Sequence, residues 1–383
     1  MKKFYLSVYR TETKRVWRLV SGAIIRGGKT FCRMNRRGIF LSLLGIAVFS
    51  WVPAHSEEVV RPSFNTGYQV ASIRYHQGEE KKTITVALWY PTKEQAKVHT
   101  YGAGVTGKVA TDARICPEGA PYPLFVFSHG YGGSGLAAVY LTEILASCGW
   151  IVAAPDHNDR YSAVRIPTGP VPNCNRRNLL KHAAHIAAST PENRGEYLYR
   201  IKEMEQLLKW VLSVSPLHDF IDQKRVAVGG HSFGGFTALG VCGTIKEYYD
   251  PRIRAVVLFS TGVGGSLFTD QELHCVKIPS MLFLGELERD ALRGRNQTMA
   301  EIADKIYRNM PAPKYFLEIR GAHHLSFVNQ FITELFEGNN RLIFEVIRRY
   351  TIAFLKKHIS GRREAETILD QQDSLLTRYL RTL

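Results

Sequence analysis

Short, largely apolar runs recur along the chain and are separated by segments in which apolar residues have helical spacing. Apolar runs this short are typical of strands buried on both faces of a parallel sheet. The runs lie at residues 124–127, 151–154, 225–228, 254–259, 281–284 and 315–319, and helical patterns lie at 136–147, 197–214, 233–244 and 343–358. This alternation predicts an α/β fold with helices on both faces of a mostly parallel central sheet.

The segment before these runs has a different pattern. Residues 68–75 and 84–90 alternate or run apolar over strand lengths, and turn-forming residues separate them at 78–82. We therefore expect an antiparallel N-terminal edge on the sheet. Residues 92–122 are mixed and rich in Gly and Pro, which predicts a surface loop.

Two later segments have no clear period. Residues 157–195 contain four prolines and are too long for a plain connection. We interpret them as a lid-like excursion over the C-terminal edge of the sheet. Residues 361–383 are polar with some helical character and predict a peripheral C-terminal tail, so the main α/β domain is placed at residues 57–360.

Residues 1–56 form a leader with the features of a secretory signal peptide. Two arginines precede an apolar run at 38–52, and small residues then occupy the −3 and −1 positions of a cleavage site after Ser56. Met34, just before the arginines, is the start that we favour for this signal. The apolar run is shorter than the ~20 residues that span a bilayer. We expect export to the periplasm or the exterior, with a membrane anchor at 38–52 as the alternative.

Charge and cysteine content add two constraints. The net charge is +16, but the leader alone holds 11 basic residues and one acidic residue, and the remainder has 39 basic and 33 acidic residues, or +6. Nucleic-acid binding is therefore not expected as the main function. Five cysteines follow the leader, an odd number. Cys116, Cys174 and Cys275 are the better candidates for a disulfide, without a preferred pairing.

The strongest chemical signal is a G-x-S-x-G sequence centred on Ser232. A buried strand precedes this sequence and an apolar helix follows it. Glycines on both sides permit the sharp strand-to-helix turn that raises a serine hydroxyl above the sheet edge. The amide of Phe233 then faces the point where negative charge develops during attack on a carbonyl group. Ser232 is the predicted nucleophile.

A serine hydroxyl needs a base and an acid, which follow it in chain order in this kind of fold. His324, directly after the 315–319 strand, is the preferred base, with its neighbour His323 as the alternative. The acid should follow the 281–284 strand, where Glu288 is preferred over Asp290 and Glu286. A carboxylate in this position fixes the imidazole tautomer and stabilises the imidazolium.

The glycine-rich segment 128–134 follows the strand that precedes the first helix. Its Tyr131 amide is the predicted second donor to the oxyanion. The segment lacks the G-K-[ST] ending of a phosphate-binding loop. His182 and His185 have metal-ligand spacing but no evident third ligand. We therefore expect no cofactor and no metal.

With these residues, the chain resembles the dienelactone-hydrolase-like and platelet-activating-factor acetylhydrolase-like group of α/β-hydrolases, which includes cutinase-like polyester hydrolases. The stretches that carry the resemblance lie at residues 88–91, 127–133, 152–157, 228–235, 250–254 and 321–327. The resemblance implies Ser232 as nucleophile, His324 as base and the Tyr131 and Phe233 amides as oxyanion hole. Proteins of this group usually carry Asp at the position of the acid, so Glu288 is a departure from the pattern of the group. Dienelactone hydrolases use Cys as nucleophile, so Ser232 argues against that activity.

The predicted function is therefore hydrolysis of carboxylic esters through an acyl-enzyme, with short-chain, phospholipid or polyester substrates implied by the resemblance. An acyltransferase with the same triad is one alternative, and an inactive hydrolase fold used for binding is another. The expected partner is a small-molecule or lipid ester, with peripheral membrane contact compatible with the charge of +6.

Overall fold

The short apolar runs form the parallel centre of a large mixed sheet. The computed structural model describes residues 61–383 except 103, 170–172, 290–297 and 330–336. The predicted leader, its signal peptide, Met34, the alternative anchor at 38–52 and Asp290 lie outside these residues. The strands are β1 (Asn65–Gln77), β2 (Glu80–Thr92), β3 (Lys97–Gly102), β4 (Val105–Thr111), β5 (Tyr122–Ser128), β6 (Ile151–Asp156), β7 (Ile221–His231), β8 (Ile253–Phe259), β9 (Ser280–Gly285), β10 (Lys314–Ile319) and β11 (Leu376–Thr382).

The helices follow the predicted spacing and alternate with the parallel strands. They are α1 (Val139–Ser147), α2 (Arg176–Ala188), α3 (Leu198–Ser213), α4 (Gly234–Leu239), α5 (Gly262–Gly265), α6 (Asp270–His274), α7 (Met299–Asn309), α8 (Glu337–His358) and α9 (Glu366–Leu369). A π-helical turn at Gly240–Thr244 extends α4. No helix in the described ranges has the length and apolar character needed to cross a bilayer.

The strand order is β11-β10-β9-β8-β7-β5-β6-β2-β1-β4-β3. Strands β10, β9, β8, β7, β5 and β6 are parallel to their neighbours in this series. From β5 the chain moves first to β6 on one side and then to β7 on the other. In open α/β sheets, the crevice beyond the carboxyl ends of strands at such a switch point is where ligands bind.

Side chains of the central strands divide between two cores, one on each face of the sheet. Phe125 and Phe127 of β5 face a core built with α1 and α8. Leu124 and Val126 face the other core, which includes residues of α3, α4 and α7. This period of two, combined with apolar residues on both faces, explains why these strands read as continuous apolar runs. The predicted α/β architecture is confirmed.

The N-terminal part of the sheet is antiparallel as expected, but it extends further than predicted. β1 pairs with β2, and β2 pairs with β6, both antiparallel. The prediction of a surface loop over 92–122 is wrong for β3 and β4, which form a hairpin, and β4 pairs with β1. The hairpin buries Tyr101, Val105, Val109 and Ala110, and the Tyr101 hydroxyl lies 2.9 Å from the indole Nε1 of Trp89 in β2. The sequence of the hairpin resembles that of a loop, because its strand pairing and its contacts with β2 cannot be read from its own residues.

The C-terminal tail contains the short helix α9, in line with the expected helical character, but it also contains a strand that was not predicted. Residues 376–382 form β11, which pairs antiparallel with β10 and completes the opposite edge of the sheet. Leu376 is buried, whereas the other strand residues are half-buried or exposed. An edge strand with so little burial has a polar sequence, and its pairing with β10 cannot be recognised from its own residues.

The predicted excursion contains a helix, α2, and it packs on the loop that follows β5. The Ala163 amide donates a hydrogen bond of 2.9 Å to the Gly132 carbonyl oxygen. The Tyr131 and His182 rings lie 5.1 Å apart between centroids. In α2 only Ile186 is buried, so the helix presents most of its surface to solvent. No disulfide joins two of the cysteines in the described ranges.

Candidate active site

Ser232 occupies a strained turn between β7 and α4. Its φ of 54° lies in the left-handed region, which is uncommon for a residue with a side chain. The Ser232 amide donates to the Phe259 carbonyl at 2.9 Å, which ties the turn to β8. A Cβ on Gly234 would lie 2.0 Å from the Ser128 carbonyl oxygen, and one on Gly230 would lie 2.1 Å from the Gly234 carbonyl oxygen. The flanking glycines are therefore required by close backbone approach.

The structure brings the three predicted side chains together at the carboxyl ends of three strands. The Ser232 Oγ lies 2.9 Å from His324 Nε2. On the other side of the ring, His324 Nδ1 lies 3.1 Å from Glu288 Oε2. The Glu288 side chain is 1% exposed, whereas the His324 side chain is 34% exposed. The imidazole thus faces solvent while its carboxylate partner is shielded from water.

The alternative residues occupy other positions. His323 turns back on its own backbone, where its Nδ1 accepts from the Leu325 amide at 3.2 Å. Glu286 accepts from the Gly321 amide at 2.8 Å. Among the described candidates, the contact with Ser232 is made by His324 and the contact with that imidazole by Glu288.

A further serine, which the sequence analysis missed, lies between the imidazole and the acid. Ser260 follows β8 directly, and its hydroxyl lies 2.6 Å from His324 Nδ1. The same hydroxyl donates a hydrogen bond to Glu288 Oε2. The available sequence signal was a polar residue directly after a buried parallel strand, at the edge where the other site residues lie.

The two predicted oxyanion donors belong to two segments that meet near Ser232. Phe233 precedes the first turn of α4, and Tyr131 lies in the loop after β5. A Cβ on Gly130 would lie 3.2 Å from the Ser232 Cβ, which shows how closely that loop approaches. Within the described residues, neither the Tyr131 nor the Phe233 amide donates to another protein group. Both are therefore available to a ligand oxygen.

A buried ion pair is hydrogen-bonded to the backbone of the loop that carries Tyr131. Arg200 of α3 is fully buried and binds Asp159 through two nitrogens, at 2.8 Å and 2.6 Å. Its Nη1 also donates to the His129 carbonyl at 2.8 Å, while Asp159 accepts from the Gly132 amide at 3.1 Å. Burial alone would raise the pKa of Asp159, but the Arg200 guanidinium outweighs it and holds that pKa well below its usual range.

A second hydrogen-bonded Ser–His–Glu chain lies deeper in the same region. The Ser128 Oγ lies 2.8 Å from His157 Nε2, and His157 Nδ1 lies 2.8 Å from Glu203 Oε2. Burial raises the pKa of Glu203 to about 7 and, together with Arg200, holds the pKa of His157 well below its usual range. The ring therefore stays neutral. These side chains connect the ends of β5 and β6 to α3.

The histidine beside the candidate nucleophile is also kept neutral. His231 is almost fully buried, and its Nε2 lies 2.9 Å from the His324 carbonyl oxygen, to which it donates. Burial, aided by the adjacent His324, lowers the pKa of His231 to about 3.

Among the described residues, no cluster of three or more His, Cys, Asp or Glu side chains is placed to hold a metal ion.

Comparisons with known proteins agree with this architecture. The family model of platelet-activating factor acetylhydrolase, isoform II, matches residues 97–377. Over 360 residues the chain is 26% identical to the platelet-activating factor acetylhydrolase of Cavia porcellus, covering 81% of this chain and 77% of that one. The enzyme of Canis lupus familiaris is 27% identical over 350 residues, with coverage of 79% and 74%. A ferulic acid esterase from Streptomyces cinnamoneus shares the fold, with a TM-score of 0.62 and 23% identity over 84% of this chain and 99% of that one.

The fold and the family match together define an α/β-hydrolase of the serine ester hydrolase class. The chain belongs to the platelet-activating factor acetylhydrolase, isoform II, family. The sequence-based prediction of a serine ester hydrolase is thereby confirmed at the level of enzyme class.

The pKa of His231 predicts a specific dependence of stability on pH. Because the folded protein holds His231 neutral down to about pH 3, the unfolded chain binds the extra proton between about pH 6.5 and that value. The stabilising contribution of neutral His231 to the free energy of unfolding is complete above about pH 6.5. Below that pH it is lost by about 1.4 kcal/mol per pH unit. We expect His231→Gln to remove this component. Urea unfolding at pH 6.5, 5.5 and 4.5 would measure it, and parallel curves for the parent and the variant would contradict the assignment.

Proposed function

We propose that Ser232 is the nucleophile of this ester hydrolase, with His324 as its base and Glu288 as the acid. The observation that carries the proposal is the unbroken chain of contacts from Ser232 Oγ to His324 Nε2 at 2.9 Å and from His324 Nδ1 to Glu288 Oε2 at 3.1 Å. The left-handed turn at Ser232 supports it, because strain of this kind is concentrated at functional sites. The chain thus has a hydroxyl, a base within hydrogen-bond reach and a group that orients the base.

In this mechanism, His324 Nε2 accepts the Ser232 proton while Oγ attacks the acyl carbon of the ester. The oxygen of the tetrahedral intermediate binds to the Tyr131 and Phe233 amides. The imidazolium then gives its proton to the leaving alcohol, and an acyl-enzyme remains. His324 next takes a proton from water as the water attacks the acyl-enzyme. The imidazolium then returns that proton to Ser232 Oγ as the carboxylic acid is released. Glu288 stabilises the imidazolium in both halves of the cycle.

As substrate we propose a lipid ester with a short acyl group. The curated relatives are platelet-activating factor acetylhydrolases, which supports an acetylated lipid. A groove of about 260 Å³ next to the Tyr131 loop also supports a substrate with a polar, negatively charged part. Its lining is basic or polar and comprises Arg160, Tyr161, Asn178, Lys181, His182 and His185.

We further propose export of the enzyme and peripheral contact with lipid surfaces. Export rests on the signal-like pattern of residues 1–56. N-terminal sequencing of protein from the producing cells tests it, since cleavage after Ser56 is expected and an intact leader would count against it.

Membrane contact is supported by α2, where exposed Lys181 and half-exposed Leu180 lie on a helix with little buried surface. Basic and apolar residues together favour adsorption to anionic lipid.

Replacing the nucleophile should abolish covalent labelling and turnover. We expect a fluorophosphonate probe to label the parent protein and Ser232→Ala to remove the label, with kcat lowered by at least about 10⁴-fold. Intact-protein mass spectrometry would count the attached probe. A matched control is Ser280→Ala, because Ser280 is buried at the opposite end of β9 and its hydroxyl has no partner among the described residues. Persistent labelling of the Ser232 variant would rule out the nucleophile assignment.

The substrate proposal predicts a graded response to acyl length. We expect kcat/KM to be highest for acetyl and other short p-nitrophenyl esters and to fall as the acyl chain lengthens. We also expect hydrolysis of a phospholipid carrying an acetyl ester, faster in vesicles containing anionic lipid than in neutral vesicles. Product analysis with added alcohol would reveal acyl transfer. A preference for long acyl chains, or failure on the acetylated phospholipid, would overturn the proposed substrate class.

A further inference from the structure

The hydrogen bonds around His324 Nδ1 do not form a simple histidine–carboxylate pair. Among the described residues, Nδ1 has two hydrogen-bond neighbours, the Ser260 Oγ at 2.6 Å and the Glu288 Oε2 at 3.1 Å. The shorter contact is with the serine. The Ser260 hydroxyl in turn donates to the same Glu288 oxygen.

Proton accounting fixes the direction of these bonds. For His324 Nε2 to accept from Ser232, the ring must carry its hydrogen on Nδ1. That single hydrogen points to Ser260 Oγ and Glu288 Oε2, and the serine oxygen is the nearer acceptor. The serine hydrogen is then free to point to the carboxylate. The result is a relay from imidazole to hydroxyl to carboxylate, alongside a longer direct contact.

The backbone holds Ser260 in this place with the same device that it uses at Ser232. Ser260 has a φ of 48°, and its amide donates to the Phe283 carbonyl at 2.8 Å. Ser232 likewise has a positive φ and donates to the carbonyl at the end of the neighbouring strand. Ser260 is fully buried, so it does not reach substrate. Within the described part of the chain, the hydrogen-bond partners of this strained, buried hydroxyl are the imidazole and its acid.

The carboxylate is fixed from the other side as well. Glu288 Oε1 accepts from the Gly285 amide at 2.8 Å, which leaves Oε2 directed at Ser260 and His324. Glu288 is almost fully buried, and a buried carboxylate is costly unless its oxygens are hydrogen-bonded. The Ser260 hydroxyl supplies a hydrogen bond to Glu288 Oε2, the same oxygen that contacts the imidazole.

We propose that Ser260 is a positioning residue of the active site, which couples His324 to Glu288 by donating to the carboxylate and accepting from the ring. The hydroxyl orients the imidazole toward Ser232 and shares the charge that develops on it. The proposal rests on the proposed function, because it assumes that His324 is the base.

The test is Ser260→Ala, with kcat, KM and fluorophosphonate labelling measured in the full chain. Removal of a hydrogen bond to a charged group predicts a kcat lowered about 10- to 100-fold. KM should stay within about twofold, since Ser260 is not exposed to substrate. Ser280→Ala is again the matched control, as it removes a buried hydroxyl from the same sheet at the edge remote from the site. A kcat for Ser260→Ala within twofold of the parent would overturn the proposal.

A double-mutant cycle separates positioning from a purely structural effect. If Ser260 acts through Glu288, the Ser260→Ala/Glu288→Gln double variant should lose little more activity than Glu288→Gln alone, by less than about threefold. Independent effects would multiply, and that result contradicts the relay. Ser260→Gly tolerates the positive φ and serves if Ser260→Ala fails to fold. Failure of both variants to fold would assign Ser260 to the fold instead.

These outcomes are distinct from a failure of the proposed function. Labelling of the Ser232→Ala variant would reject the nucleophile assignment whatever Ser260 does. Loss of labelling in Ser232→Ala together with full activity in Ser260→Ala would reject only the relay.

Discussion

The candidate site depends on the parallel alignment of the central strands, because this alignment brings the carboxyl ends of separate strands to one edge. Tyr131 follows β5, Ser232 follows β7, Ser260 follows β8, Glu288 follows β9 and His324 follows β10. Ser232 and His324, 92 positions apart in sequence, become neighbours because the strands that precede them lie in the same parallel ladder. The site is therefore as rigid as the sheet that supports it.

Behind this edge, the chain uses buried charge to fix a loop that carries no catalytic side chain. The Arg200–Asp159 pair contacts the backbone on both sides of Tyr131, so the position of that amide depends on α3. Loss of one partner from a buried pair typically costs about 3–5 kcal/mol, whereas the pair itself adds little net stability. The arrangement thus favours precision of the loop over stability of the domain.

The parts of the fold that the sequence predicted are those in which local pattern and burial agree. The parallel strands and their helices were visible because both faces of the sheet are covered. The β3–β4 hairpin and β11 were not, since edge strands bury few side chains and depend on pairing with distant segments. Ser232, His324 and Glu288 could be selected by chain order and by their position after strands. Ser260 also follows a strand directly, but no motif or chain-order rule selects it. Arg200 and Asp159 could not be selected, because nothing near them in sequence marks the contact between them.

The buried Ser128–His157–Glu203 chain has a consequence for recognising hydrolases by geometry. Its two contacts, both 2.8 Å, are as short as those of the chain from Ser232. A three-residue search template would therefore return two matches in one protein. They differ in access, because the His157 side chain is 0% exposed and the His324 side chain is 34% exposed. A Ser–His–acid arrangement can catalyse a reaction only where a substrate and water can reach it. Where it is fully buried, the same hydrogen bonds hold together the elements that carry its residues.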